Sequence, residues 1–351
     1  IGGLGVMSVT ALVSFFMGRT ITMRERLEMS ASLSLDDISG TVRLMREVML
    51  FTAAIELTGT ALLSIRFIPQ FGVPEGLWKA FFHAVSAFCN AGFDLMGQRE
   101  AFSNLSDYAQ DPLVNLVIVA LIVMGGLGFL VWRDLSANRK WNCLSVHTRL
   151  VLIMTALLLI GGTLAIFVLE YSNPQTLGNM PVGNRVLASL FQATTCRTAG
   201  FNTIDQGALR SGTAVICILL MFVGGSSGST AGGIKTTSVA VLILAAWSVL
   251  RSRRDITVFH RRIEERLVMQ AVALVMAALG LILTGSFILY TADNVSVGRA
   301  LYETVSAFST TGLSENLTPT LGVISKCWLI LEMYLGRIGI LTLGAAVFTR
   351  R

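Results

Sequence analysis

Apolar residues fall in long unbroken runs along this chain. Crossing a bilayer takes about 17–25 residues, and runs of that length without charge cover residues 1–18, 113–132, 150–169, 211–234 and 267–292. Two further runs are interrupted by charge: 48–65 contains Glu56, and 321–348 contains Lys326, Glu332 and Arg337. The run that opens at Ser211 continues past Lys235 to Leu250, 40 residues in all, too long for one straight span. Its centre, 224–233, reads GGSSGSTAGG. Five glycines and three serines do not sustain a helix, so an unwound segment between two shorter helices is predicted there.

The polar connections alternate in charge. Arg19, Arg24, Arg26, Arg43 and Arg46 lie in one, and Arg133, Arg139, Lys140 and Arg149 in a second. Arg251, Arg253, Arg254, Arg261, Arg262 and Arg266 lie in a third, and Arg350 and Arg351 follow the last run. The connections between them hold few bases and several acids. The positive-inside rule puts the basic set in the cytoplasm, so the first helix runs from outside to inside. The chain opens inside an apolar run without an initiator Met, and a missing N-terminal segment is expected.

The outer connections repeat. Each holds an apolar stretch too short to span (78–88, 186–195 and 300–308), then a Gly-centred loop. The loops contain Asn90, Ala91, Gly92 and Phe93; Thr198, Ala199, Gly200 and Phe201; and Thr310, Thr311, Gly312 and Leu313. Their glycines are 108 and 112 residues apart. A second motif marks the inner ends of spans: Gly2-Gly3-Leu4-Gly5, Gly125-Gly126-Leu127-Gly128, Gly225-Ser226-Ser227-Gly228 and Gly336-Arg337-Ile338-Gly339. The expected fold is an all-α polytopic membrane protein of pseudo-fourfold repeats, each a helix, a re-entrant pore half-helix with a filter loop, and a second helix. Residues 1–20 are the last helix of an incomplete first repeat. Residues 21–132, 133–250 (with the broken inner helix) and 251–351 are the second, third and fourth.

Composition narrows the function. The 351 residues are 53% hydrophobic and 14% charged, with mean hydropathy +0.69. Soluble domains carry about 25% charge, so a water-soluble enzyme and a disordered chain are excluded. A net charge of +6 with 8% aromatics gives no stacking surface for nucleic acid. Cys89, Cys143, Cys196, Cys217 and Cys327 form no CxxC pair, and the three histidines are far apart, which disfavours a disulfide framework or a zinc site. No nucleophile, acid or metal set clusters as an intramembrane enzyme requires.

Non-helical backbone at membrane depth needs protein or a water-filled cavity around it. Pseudo-equivalent loops around one axis supply both, and their carbonyls can replace the hydration shell of a monovalent cation. Gly92, Gly200 and Gly312 permit the backbone angles that turn carbonyls inward, and the half-helices point negative C-terminal ends at the cation. Asp94, Asp205 and Glu315 lie just outside the glycines. Arg337 occupies mid-span, where its counterparts are Gly3, Gly126 and Ser226. A charge there raises a barrier in the cation path, or forms an ion pair with Glu56 or Glu332. The other reading is a secondary cation symporter with a midplane substrate site; tandem repeats and loops all on one side argue against it.

FHAVSAFCNAGFD (82–94), TTCRTAGFNTID (194–205), SAFSTTGLSENLTP (306–319), GGSSGSTAGGIKTT (224–237) and LGRIGILTLG (335–344) together resemble the Trk/Ktr/HKT superfamily of potassium transporters, most nearly its Ktr-type translocating subunits. The resemblance covers essentially the whole chain. It implies K+ uptake across the cytoplasmic membrane through a carbonyl-lined filter, with Na+ as an activator and no covalently bound cofactor. It also implies homodimerisation in the lipid bilayer and a cytoplasmic nucleotide-binding regulatory ring. The intramembrane gate then comprises Gly224, Gly225, Ser226, Ser227, Gly228, Ser229, Thr230, Ala231, Gly232 and Gly233, closed by Lys235. The basic segment 251–266 is the expected contact for the ring.

Overall fold

A computed structural model describes residues 41–97, 103–252, 255–259 and 261–338. The expected helix at 1–20, with its Gly3 motif, and the chain beyond Ile338 lie outside these residues. Three long helices organise the rest: α1 (Thr41–Phe71), α5 (Val146–Glu170) and α9 (Glu265–Asp293). They have 31, 25 and 29 residues. At about 1.5 Å per residue each exceeds a hydrocarbon layer of roughly 30 Å. Their outward faces are apolar: on α5, Leu157, Ile160, Leu164 and Val168 are 59–70% exposed. Lipid, not water, is the solvent for such a face.

A short helix follows each long one: α2 (Val73–Phe88), α6 (Val182–Thr195) and α10 (Val297–Phe308). They have 16, 14 and 12 residues. That is about 18–24 Å, short of a full crossing. Proline starts the first two: Pro74 lies in the opening turn of α2, and Pro181 is the N-cap of α6. Each short helix packs on the long helix before it, and their C-terminal turns are buried. Neighbouring groups are joined where α6 meets α3 and α10 meets α7.

The remaining helices return the chain inward. α3 (Pro112–Leu127) starts on Asp111, whose carboxylate accepts the amides of Leu113 and Val114 at 3.0 and 3.3 Å and pairs with Arg66 at 2.6 Å. The uncharged run 113–132 predicted a straight span. Instead the chain turns by 91° at Gly128, between α3 and α4 (Phe129–Ala137). The cause lies about a hundred residues further on: Ser226 donates from its amide to Gly126 O (3.0 Å) and from its hydroxyl to Leu127 O, so it takes the last carbonyls of α3. Gly128 sits at φ +92°, and a Cβ there would lie 2.7 Å from Ser226 Oγ. α7 (Ser211–Phe222) and α8 (Thr236–Leu250) flank the unwound segment, and α11 (Val323–Ile338) is the last described element. Part of the densest basic stretch forms a hairpin of β1 (Thr257–Val258) and β2 (Arg261–Arg262).

Candidate ion pathway

The three Gly-centred loops share two left-handed positions. Asn90, Thr198 and Thr310, each two residues before a loop glycine, lie in the left-handed region at φ +50°, +65° and +56°. Gly92, Gly200 and Gly312 follow at +69°, +87° and +86°. At the end of α2, Asn90 N donates to Ala87 O (3.1 Å) and Ala91 N to Ser86 O (2.9 Å). At the end of α10, Thr310 N donates to Ala307 O (3.0 Å) and Thr311 N to Ser306 O (2.9 Å). This paired closure needs a left-handed residue after the helix, usually Gly and sometimes Asn. A β-branched threonine is disfavoured there and costs on the order of 1–3 kcal/mol. The structure holds that strain twice at equivalent places.

The loops also converge. A Cβ on Gly92 would run into Ala199 O and lie 2.9 Å from Gly200 Cα, and a Cβ on Gly200 would run into Thr311 O. The loops at 92, 200 and 312 are therefore neighbours in that order. Beside Gly312 no described atom lies within 4 Å. Phe93 in the first loop is 70% exposed, whereas its counterparts Phe201 and Leu313 in the other two are buried. The described ring is open between the third loop and the first. No hydrogen bond among the described residues reaches the carbonyls of Asn90, Ala91, Thr198, Ala199, Gly200, Thr310, Thr311 or Gly312. Buried carbonyls are rarely left without a partner; Asn90, Thr198, Ala199, Gly200 and Thr311 are buried, Ala91 and Thr310 half-buried and Gly312 exposed, and these eight oxygens on converging loops can serve as donors to a cation. The loop ends are fixed instead: Ser86 donates to Phe93 O (2.8 Å) and Thr195 to Phe201 O (2.7 Å).

Outside the glycines the acids are engaged. Asp94 accepts Met96 N (2.8 Å) and Asn104 Nδ2 (2.9 Å); Asn104 also accepts Asn202 N (3.2 Å), stitching the first loop to the second. Asp205 accepts Gly207 N (2.9 Å) and Asn316 Nδ2 (3.0 Å), stitching the second to the third. Glu315 pairs with Arg299 at 3.5 Å; burial raises its carboxyl above the usual range, and the Arg299 charge offsets part of that. Asn104 and Asn316, both at positive φ, are site residues that sequence reasoning missed. No local pattern marks them.

Residues 224–233 lie beneath these loops and touch all three. Thr230 Oγ1 donates to Phe88 O (3.0 Å) below the first, and Arg197 Nη2 reaches Gly224 O (3.4 Å) from the second. A Cβ on Gly232 would strike Thr310 Oγ1 in the third. Here six of the ten carbonyls are taken, those of Gly224, Gly225, Ser226, Gly228, Thr230 and Ala231. Gly224 N donates to Ile234 O (2.9 Å), Phe129 N to Gly228 O (3.0 Å), and Ser229 Oγ to Ser226 O (2.7 Å). Lys235 Nζ donates to Ala231 O at 2.7 Å, and Arg337 Nη1 to Thr230 O at 2.8 Å. Two side-chain cations thus hold adjacent carbonyls of the segment. Glu332 accepts Trp328 Nε1 at 2.9 Å.

Short helices aimed at shared carbonyl loops inside a ring of lipid-facing helices define a multi-pass membrane protein of the ion-transport class, not an enzyme. The model of the TrkH family, described as cation transport protein, matches residues 1–348. Ktr system potassium uptake protein B of Bacillus subtilis (strain 168) is 42% identical over 342 residues, 97% of this chain and 76% of that protein. The protein of the same name from Vibrio alginolyticus is 35% identical over 98% of this chain and 75% of its own length. The crystal structure of the potassium transporter TrkH from Vibrio parahaemolyticus superposes with a TM-score of 0.71 at 16% identity, over 92% of this chain and 68% of that one. The chain belongs to the Trk/Ktr superfamily of cation transport proteins.

Proposed function

We propose that this chain is the translocating subunit of a potassium-uptake system. K+ is its transported ion and Na+ an activator, and no covalent cofactor takes part. The carbonyls of 90–93, 198–201 and 310–313 form the filter. Dehydrated K+ exchanges its water for these oxygens, while the C-terminal ends of α2, α6 and α10 add negative potential. The observation that carries this reading is the set of eight unclaimed carbonyls on three loops with left-handed residues at matching positions. The named relatives support K+ as the ion.

Residues 224–233 and Lys235 act as the gate below the filter, and Arg337 places positive charge beside the same path. The basic connections face the cytoplasm in the inner membrane, and the subunit works as a homodimer on a cytoplasmic nucleotide-binding ring. The hairpin at 257–262 is the first contact to test for that ring.

The test is 86Rb+ uptake by the full-length protein in a host lacking its own K+ uptake, with Na+ as competitor. Gly200→Ser places a side chain against Thr311 O at a φ that disfavours it. Loss of K+ preference over Na+ supports the filter; an unchanged preference, with the protein inserted at normal levels, refutes it.

A further inference from the structure

The second loop is braced by a device the other two lack. Gln192 lies eight residues before Gly200 on α6, and Gln206 six residues after it. Their amides pair reciprocally: Gln192 Nε2 donates to Gln206 Oε1 at 2.7 Å, and Gln206 Nε2 donates to Gln192 Oε1 at 3.0 Å. Gln206 Nε2 also donates to Ile204 O (3.0 Å), and Tyr302 OH donates to Gln206 Oε1 (3.0 Å). The second proton of Gln192 Nε2 faces the thiols of Cys196 and Cys217 at 3.7 and 3.6 Å. All five side chains are at most 2% exposed. Every donor and acceptor of Gln206 is used, the condition under which a buried polar network fixes one arrangement.

The network has a direction. The amide pair closes the two ends of the second loop like a strap, so residues 198–201 are held at a set width. Tyr302 carries the strap to α10, which runs directly into the third loop. At the position of Gln192 the other units have Ala84 and Thr304, which cannot form it. Thr304 bonds instead to Ser286 at 2.8 Å. The first loop relies on Asp94 and Asn104. On the third, Glu303 accepts the hydroxyls of Ser314 and Thr318. Loops with matching left-handed positions are thus held with different stiffness.

We infer that the Gln192–Gln206 pair and Tyr302 are specificity-determining positioning residues: they set the separation of the second and third loops, and so the K+ over Na+ preference of the filter. This rests on the filter reading above. None of the three touches the ion; they act through the loop ends. Removing the Tyr302 hydroxyl leaves the packing intact but lets the strap move relative to α10. The smaller, more strongly hydrated Na+ then finds carbonyls free to close in on it.

The experiment compares Na+ inhibition of 86Rb+ uptake by the full-length protein in wild type, Tyr302→Phe, Gln192→Met/Gln206→Met and the triple variant, each normalised to inserted protein. Replacing both amides by apolar side chains of similar size removes the pair together, and the triple variant also removes the Tyr302 hydroxyl that the double variant leaves without its acceptor, so both are compared at normal inserted levels. The expected result is a loss of K+ over Na+ preference of roughly 3- to 10-fold, the size of one or two lost hydrogen bonds. Maximal Rb+ uptake at low, activating Na+ stays near wild type. Tyr302→Phe adds nothing once the amides are gone, because the residues act as one unit. An unchanged preference in Tyr302→Phe or in the double variant overturns the proposal, as does full additivity in the triple. Gly200→Ser in the same assay separates the causes: if it alone alters preference, the filter stands and the strap fails, and if it too is silent, the filter itself fails.

Discussion

Two glycine-rich segments meet at the centre of this protein, and they treat their carbonyls in opposite ways. In the filter loops the glycines repeat at equivalent places, with positive φ at Gly92, Gly200 and Gly312, and eight of the oxygens there accept no hydrogen bond among the described residues, while those of Gly92, Phe93 and Phe201 do. In 224–233 only Gly228 and Gly233 are left-handed. Oxygens of that segment are tied to Arg197, to the first turn of α8, to α4, to Lys235 and to Arg337. Glycine content alone therefore says little. Open carbonyls on pre-bent loops suit a passing cation; carbonyls held by fixed cations suit a plug that opens when those holds are released.

The largest expected effect tests the filter side of that contrast. Gly200→Ala meets both an unfavourable φ and Thr311 O, and 86Rb+ uptake is expected to fall roughly 100-fold. Gly312→Ala meets only the φ among the described atoms. If another loop occupies the opening beside it, the two variants are equally damaging; a much milder Gly312→Ala shows that the opening is not filled by such a loop.

On the plug side, Arg337→Met removes a charged donor from Thr230 O. Basal Rb+ efflux from proteoliposomes is expected to rise about tenfold, the scale of one charge-assisted hydrogen bond. Lys235→Met removes the neighbouring hold on Ala231 O and is expected to give a rise of a few fold, with the pair together exceeding either. Unaltered or lower efflux in Arg337→Met counts against the plug.

The smallest effect is a control away from both regions. Asp134, near the end of α4, accepts Asn138, Ser145 N and Thr148. Burial raises its carboxyl, but those hydrogen bonds outweigh it and hold the value down to about 2, against an ordinary 3.8. A depressed carboxylate stabilises the folded state above its ordinary value, and that contribution is lost as pH falls through about 2. Between pH 5 and 8 it is constant. Asp134→Asn is thus expected to lower the thermal midpoint by a few degrees equally at both pH values, with K+ preference unchanged. A midpoint difference that changes across this range contradicts the assignment.

The half-helices and the spacing of the three loops were legible because their signal is local: a short apolar stretch, then Gly, three times over. The break at 224–233 was legible for the same reason. The bend at Gly128 was not, since 113–132 is uncharged throughout and the bend is imposed by Ser226 from another repeat. Nor was the left-handed backbone of Thr198 and Thr310, because threonine's own preference opposes it and only the surrounding packing enforces it. The hydrogen bond of Arg337 to Thr230 O was not legible for a related reason. An unwound segment exposes carbonyls inside the membrane, and a guanidinium finds those as readily as an acid. Scattered in sequence, Gln192, Gln206 and Tyr302 acquire meaning only once α6 and α10 are side by side.

The most direct measurement is anomalous diffraction from crystals of the full-length protein grown in Rb+ or Tl+. The account predicts a row of ion peaks enclosed by the carbonyls of 90–92, 198–200 and 310–312, above residues 224–233. Ion density at carboxylates away from those loops, with none among the glycines, would contradict it.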